Sequence, residues 1–308
     1  MRIVFMGTPE FAVPCLERLI ADGHEVVLAV TQADKPKGRG YTLTPPPVKV
    51  CAMSHGVEVY QPDSLKNNPE ALERLASCRP DVGIVVAYGR LLPQAALDIP
   101  RYGCINVHAS LLPKYRGAAP IQWAVLNGEK ESGVTTMQMD AGLDTGDMLL
   151  TRRCAIPPDM TAGELHDRLS MDGAAVLSDT LKALEAGNLS PVKQEGESCY
   201  APMLSRELSV IDWKRPAADL HNQVRGLNPW PSASTRLRGK ILKIHRSQVG
   251  EPTEAVPGTV VKQSPFTIAC GGGGSLELLE VQYEGAKRMA GTDFLRGRAV
   301  EIGRVLPD

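Results

Sequence analysis

Short apolar runs rich in Val and Ile recur through the first half of the chain, at 2–6, 25–31, 57–60, 81–87, Cys104–His108 and 133–139. Helical stretches lie between them, at 48–54, 71–76 and 118–126, and Leu16, Leu19 and Ile20 recur at helical spacing. Strands this apolar throughout require cover on both faces. That demand points to an α/β fold with a mostly parallel, Rossmann-like sheet between helices. Ligands in such sheets bind beyond the carboxyl ends of the strands. The run Gly103-Cys104-Ile105-Asn106-Val107-His108 ends in that region and breaks into Ala109-Ser110-Leu111-Leu112-Pro113. Side chains alternate along a strand, so Asn106 and His108 share a face opposite Ile105 and Val107. An amide beside an imidazole is a poor piece of core. The pair either faces chemistry or is hydrogen-bonded to a buried partner.

A second polar cluster follows at 140–147, Asp140-Ala141-Gly142-Leu143-Asp144-Thr145-Gly146-Asp147. Three carboxylates interleaved with two glycines make a tight exposed loop. It lacks the length and closing Glu of an EF-hand, so a calcium loop is disfavoured and a solvated turn is the plain alternative. Gly7-Thr8-Pro9 lacks the later glycines of a dinucleotide fingerprint, and there is no Walker loop, so NAD is disfavoured. Thr8 is expected as an N-cap with Pro9 the first helical residue, and Pro14 is expected to bend or delay that helix.

A chain of 308 residues points to two domains. No apolar stretch reaches membrane-span length, which gives no membrane partner. The N-terminal apolar run is short and has no cleavage site, so it reads as a strand. Seven cysteines, odd in number and without Cys-x-x-Cys, point to a reducing cytoplasm with neither disulfides nor a zinc site. Net charge divides unevenly: −5 over 1–205 and +4 over 206–308, with nine basic against three acidic residues in 206–246. Such a basic segment fits a polyanionic partner or an ordinary solvated surface.

Residues 34–47 form a long aperiodic loop holding Lys35, Lys37, Arg39 and four prolines. Residues 190–207 have the character of a linker. Beyond it come one helical stretch, 217–224, and short runs at 235–237, 241–245, 258–262, 267–270 and 276–283, with a glycine turn at 271–274. That texture points to a small OB-like β-barrel.

The run from Gly103 to Ile121, with Gly133-Val134-Thr135-Thr136-Met137-Gln138-Met139-Asp140 and Gly142-Leu143-Asp144-Thr145-Gly146-Asp147, resembles the formyltransferases that use 10-formyltetrahydrofolate. The opening Phe5-Met6-Gly7-Thr8-Pro9-Glu10-Phe11-Ala12-Val13-Pro14, the 35–40 loop, Ile211-Asp212-Trp213 and Asn228-Pro229-Trp230-Pro231 narrow the resemblance to the branch whose acceptor is methionyl-tRNA. The resemblance spans essentially the whole chain. Its departures are Ala109, where relatives often have Gly, and Met203, where they commonly have Lys.

The resemblance implies a one-carbon transferase serving translation initiation, with a catalytic domain at 1–189, a linker at 190–207 and an OB-like tRNA-binding domain at 208–308. It implies a catalytic triad of Asn106, His108 and Asp144. It places folate along Ser110, Leu111, Leu112 and Pro113, and the acceptor stem against the loop bearing Lys35, Lys37 and Arg39. Leu91, Leu92 and the 140–144 backbone, with Asp140, are candidates for the pterin slot, the leucines being equally explicable as core. The formyl donor is 10-formyltetrahydrofolate, no metal is expected, and the enzyme is expected to be a cytoplasmic monomer. Rival expectations are a formyltransferase for a small amine or amino sugar nucleotide, a formylfolate hydrolase, or a non-catalytic RNA-binding protein.

Overall fold

The computed structural model describes residues 1–37 and 42–308. The chain divides into two compact units that interleave in sequence. One comprises Met1–Gly117, Ser132–Cys154 and His166–Tyr200; the other comprises Ala118–Glu131, Ala155–Leu165 and Ala201–Asp308.

The first unit is built on seven strands: β1 (Arg2–Gly7), β2 (Glu25–Val30), β3 (Val59–Tyr60), β4 (Val82–Val86), β5 (Cys104–His108), β6 (Glu131–Gln138) and β7 (Met148–Ala155). Their order is β7-β6-β5-β4-β1-β2-β3. The pairs β1–β2, β1–β4, β2–β3 and β4–β5 are parallel, and β5–β6 is antiparallel. The expected mostly parallel sheet is what forms. Register brings Met6 opposite Val85 and Val85 opposite Asn106, so His108 lies past Val86, the last residue of β4. One face of the sheet buries Val4, Met6, Leu28, Val30, Val85 and Cys104 against Ala71, Leu75 and Leu97. At about 25 cal/mol per Å² of apolar surface, such burial dominates the stability of the layer.

Local chemistry explains most helix boundaries. Asn68 accepts from the Ala71 amide at 3.0 Å and caps the helix Pro69–Ser77, an interaction typically worth about 1 kcal/mol. Thr8 is not an N-cap. Its hydroxyl donates to the Tyr88 carbonyl at 3.0 Å, a 3-10 turn occupies Glu10–Ala12, and the α-helix starts at Val13 with Pro14 in its first turn. Pro14 thus delays the helix, because a proline is harmless only where no intrahelical N–H is needed. The long loop at 34–47 begins and ends as a small hairpin, Lys35–Lys37 against Thr42–Thr44. The expected elements do not include the 24-residue helix Ala162–Glu185, although Thr161-Ala162-Gly163-Glu164 is a capping box: the Thr161 amide donates to Glu164 Oε2 at 2.8 Å and the Glu164 amide to Thr161 Oγ1 at 3.2 Å. Glycines and hydroxyl residues interrupt its apolar periodicity. At Gly173 a Cβ would stand 3.1 Å from Val107, so the small residue lets the helix close on β5. Thr180 and Thr136 share a hydroxyl hydrogen bond at 2.8 Å.

The second unit holds β8 (Ala233–Leu237), β9 (Lys240–Val249), β10 (Val260–Gln263), β11 (Phe266–Ala269) and β12 (Ser275–Tyr283), hydrogen-bonded in the order β8-β9-β12-β11-β10, all antiparallel. The expected glycine turn links β11 to β12, with Gly272 and Gly273 at φ +70° and +75°. The helix Ala217–Gly226 lays Leu220 and Val224 into a core with Leu242, Ile244, Phe266, Leu276 and Phe294. The helix Pro120–Leu126 approaches it closely, since a Cβ on Gly226 would lie 2.8 Å from Leu126. No helix among the described residues is long and apolar enough to cross a membrane, and all seven cysteines are free.

Candidate active site

β5 delivers Asn106 and His108 on one face, as alternation requires, and the strand ends there because Ser110 folds back. The Ser110 amide donates to the His108 carbonyl at 2.9 Å, and its hydroxyl donates to the Lys114 carbonyl at 2.7 Å. Thr135, opposite His108 on β6, donates to the Ser110 carbonyl at 2.7 Å. The residues 108–115 are therefore fixed from both sides. Their fold turns the Tyr115 carbonyl onto the imidazole, 2.9 Å from His108 Nε2.

That contact sets the tautomer. A carbonyl only accepts, so Nε2 carries the hydrogen and the neutral ring keeps its lone pair on Nδ1. Nδ1 lies 3.7 Å from Asp144 Oδ2, and both side chains are nearly buried. A protonated His108 would donate on both edges, to Tyr115 and toward the carboxylate. Asn106 Nδ2 donates to the other oxygen, Asp144 Oδ1, at 3.5 Å, a long bond that leaves the amide weakly held. The sequence thus places three polar groups 38 positions apart at most, and the fold brings all three together.

Asp144 is positioned by its loop. Its φ of +53° is in the left-handed region, which Asp tolerates better than most residues. Asp140 braces the turn by accepting from the Gly142 amide at 2.9 Å and the Thr145 hydroxyl at 2.8 Å. Gly146 is obligatory, since a Cβ there would sit 1.7 Å from the Gln138 carbonyl. The Gly117 amide donates to Asp144 Oδ2 at 2.8 Å.

Sequence reasoning missed Gln194. Its amide nitrogen donates to the carbonyls of Asp144 at 2.9 Å and Gly146 at 2.8 Å, and its oxygen accepts from Arg116 Nε at 3.0 Å. It lies in the stretch read as a linker, where a lone glutamine gives no signal. The carbonyl of Tyr115 and the amide of Gly117 were equally invisible, being backbone groups.

The remaining expected residues are placed as follows. Ser110 and Leu112 are buried, and Leu111 and Pro113 are half-buried beside the triad. Leu92 packs in the core of the first unit, whereas Leu91 is 77% exposed and free to meet a ligand. Asp140 is exposed. Lys35 is exposed and donates to Gln32 Oε1 at 2.8 Å. Arg39 and the side chain of Lys37 lie outside the described residues.

Two family models match the chain: formyl transferase over residues 1–181 and the formyl transferase C-terminal domain over 203–299. The chain is 53% identical to a methionyl-tRNA formyltransferase of Caldanaerobacter subterraneus, over 99% of this chain and 100% of that one. It is 50% identical to the protein of that name from Clostridium novyi, with the same coverage. Among solved structures, an N-formyltransferase from Helicobacter canadensis, in complex with folinic acid and dTDP-3-aminofucose, superposes with a TM-score of 0.69 at 18% identity. That match covers 93% of this chain and 99% of the other, and it speaks to fold alone. With both family models matched and half of all residues shared along the full length, the chain belongs to the formyl transferase family, among the methionyl-tRNA formyltransferases.

Proposed function

We propose that this protein transfers the formyl group of 10-formyltetrahydrofolate to the α-amino group of methionyl initiator tRNA, giving N-formylmethionyl-tRNA. The convergence of Asn106, His108 and Asp144 carries the reading. The full-length likeness to methionyl-tRNA formyltransferases favours it over a small-amine or amino sugar acceptor.

The chemistry assigns each group a role. The amine attacks the formyl carbon, a C–N bond forms, and the carbonyl oxygen becomes an oxyanion. Asn106 Nδ2, loosely held by Asp144, supplies a neutral donor for that oxygen, a contribution of about 3 kcal/mol. The attacking nitrogen loses a proton to His108 Nδ1, the atom left with a lone pair by the Tyr115 contact. Asp144 faces the imidazolium so formed. The bond from the formyl carbon to folate N10 breaks, and the proton goes to N10. No step calls on a metal or a covalent enzyme intermediate.

Ser110 to Pro113, with Leu91, Leu92 and Asp140, would line the folate site. Lys35, Lys37 and Arg39 would neutralise phosphates of the acceptor stem, and residues 208–308 would hold the tRNA from a second domain. The same reading makes the protein a cytoplasmic monomer. The test is formation of formyl-Met-tRNA by wild type and His108→Ala. The variant is expected to lose about a hundredfold to ten-thousandfold in kcat while tRNA affinity is nearly unchanged. A wild type that binds tRNA but never formylates it would overturn the proposal. Arg39→Ala should raise KM for tRNA and leave folate affinity intact; an equal loss of both would remove the loop from tRNA recognition.

A further inference from the structure

Arg225 lies in the last turn of the helix Ala217–Gly226 and is only 5% exposed. A cation taken out of water ordinarily faces a carboxylate. Arg225 does not. Its Nε donates to Asn222 Oδ1 at 2.9 Å and its Nη1 to the Met160 carbonyl at 3.1 Å, both neutral acceptors. Asp159 exerts a distant pull, but it is largely exposed and sits closer to His221, at 3.6 Å. Burial accordingly draws the guanidinium below its ordinary pKa.

The residue lines a cavity of about 170 Å³ shared with Thr161, His221, His245, Arg246 and Ser247. A single water needs only about 10–15 Å³ on this measure, so the space admits a larger polar group. Most of its wall is already satisfied. Arg246 pairs with Glu164 at 2.7 Å, and His221 bonds Ser247 Oγ and the Pro158 carbonyl. His245 is different. Gln282 Nε2 donates to the Ala286 carbonyl, which turns Gln282 Oε1 toward His245 Nε2 at 3.3 Å. Nε2 therefore carries the hydrogen, and Nδ1 keeps a lone pair that is buried without a partner. Burial, together with the charge of Arg288, lowers the ring's pKa and favours this neutral form. The groups left uncommitted are one buried cation with spare donors and one lone pair.

We propose that this cavity is a phosphate-binding site, in which Arg225 meets an anionic phosphate oxygen and His245 accepts from a hydroxyl of the same ligand. A phosphodiester beside a 2′-hydroxyl, the repeating unit of an RNA strand, offers both. Assigning the ligand to tRNA rests on the function proposed above; free phosphate is the other source of the same chemistry.

Two measurements on the full-length protein decide it. Inorganic phosphate, compared with chloride at equal ionic strength, should raise the melting temperature of wild type by a few degrees, and Arg225→Gln should abolish the shift. In tRNA titrations across salt, Arg225→Gln should lower the slope of log K against log salt by about 1, one phosphate contact. His245→Phe should weaken tRNA binding several-fold with that slope unchanged. Arg225→Lys keeps the charge and should retain the slope, which guards against a folding defect in the glutamine variant. Both effects together place an RNA phosphate in the cavity. An Arg225-dependent phosphate shift with no change in the tRNA slope upholds the site and assigns it to a free anion. A wild type stabilised no more by phosphate than by chloride, with tRNA slopes alike in all variants, overturns the proposal. Failure of wild type to bind tRNA would count against the acceptor proposed above, and the phosphate shift would still decide the cavity.

Discussion

Asp144 combines two demands in one residue: a left-handed backbone and a charge beside an imidazole. Asparagine enters that backbone region as readily. Asp144→Asn should therefore preserve the loop and its acceptor for the Gly117 amide while removing the charge. The expected result is a kcat lower by about a hundredfold or more with unfolding free energy within about 0.5 kcal/mol of wild type. Single-turnover formylation and urea titration would check both; an unimpaired rate would remove Asp144 from the mechanism. Cys199 allows a second test at this scale. It is the exposed cysteine, and its sulfur accepts from the Tyr115 amide at 3.2 Å. The other six are buried, and burial pushes Cys15, Cys104 and Cys270 up to about 12. A thiol reagent on the folded protein should label Cys199 first. Turnover should fall in step, since Tyr115 also holds His108.

Elements hold the site by close approach rather than by regular secondary structure alone. The loop between β6 and β7 folds back so tightly that Gly146 has no room for a methyl group. Gly146→Ala should cost about 1–3 kcal/mol in stability, because backbone must move, and should lower kcat by displacing Asp144. Urea midpoints and turnover measured on one preparation would show it; a fully stable, fully active variant would mean the loop is softer than its packing implies. At this scale the sequence was legible where periodicity is local. β5 and its polar pair followed from alternation. The long helix at 162–185 did not, because Gly173 and Thr180 break its apolar stripe where they meet Val107 and Thr136; the local signal present was the Thr161–Glu164 capping box at its start.

For the whole molecule, titration sets where stability is lost. Burial lowers the pKa of His24, aided by the N-terminal amine, and burial likewise lowers that of His245. The unfolded chain then takes up these protons first, near 6.5. Their contribution is present above that value and lost as pH falls through the folded values. For Asp22, hydrogen bonds from Ser178 and Arg18 outweigh the upward push of burial. Glu164 is held down by the Thr161 amide and by Arg246. Their contributions are present above the ordinary values of 3.8 and 4.5 and vanish below them. Unfolding free energy should thus be lower at about pH 5.5 than at about pH 7.5, and should fall steeply below about pH 4.5. A flat profile from pH 7.5 to about 5.5 would show that the two histidines stay solvated.

Sequence alone determined six of the seven strands of the α/β sheet, all but the edge strand Met148–Ala155, together with the antiparallel texture of residues 233–283 and the local pairing of Asn106 with His108. Each follows from nearest-neighbour rules: alternation, apolar runs and turn residues. The meeting of Asp144 with that pair carries no local signature beyond its motif, and only the tertiary structure places its carboxylate 3.7 Å from the imidazole. The same is true of Gln194 bracing the Asp144 loop and of two units interleaved along the chain. These depend on contacts between residues tens of positions apart, which pattern along a sequence does not encode and packing does.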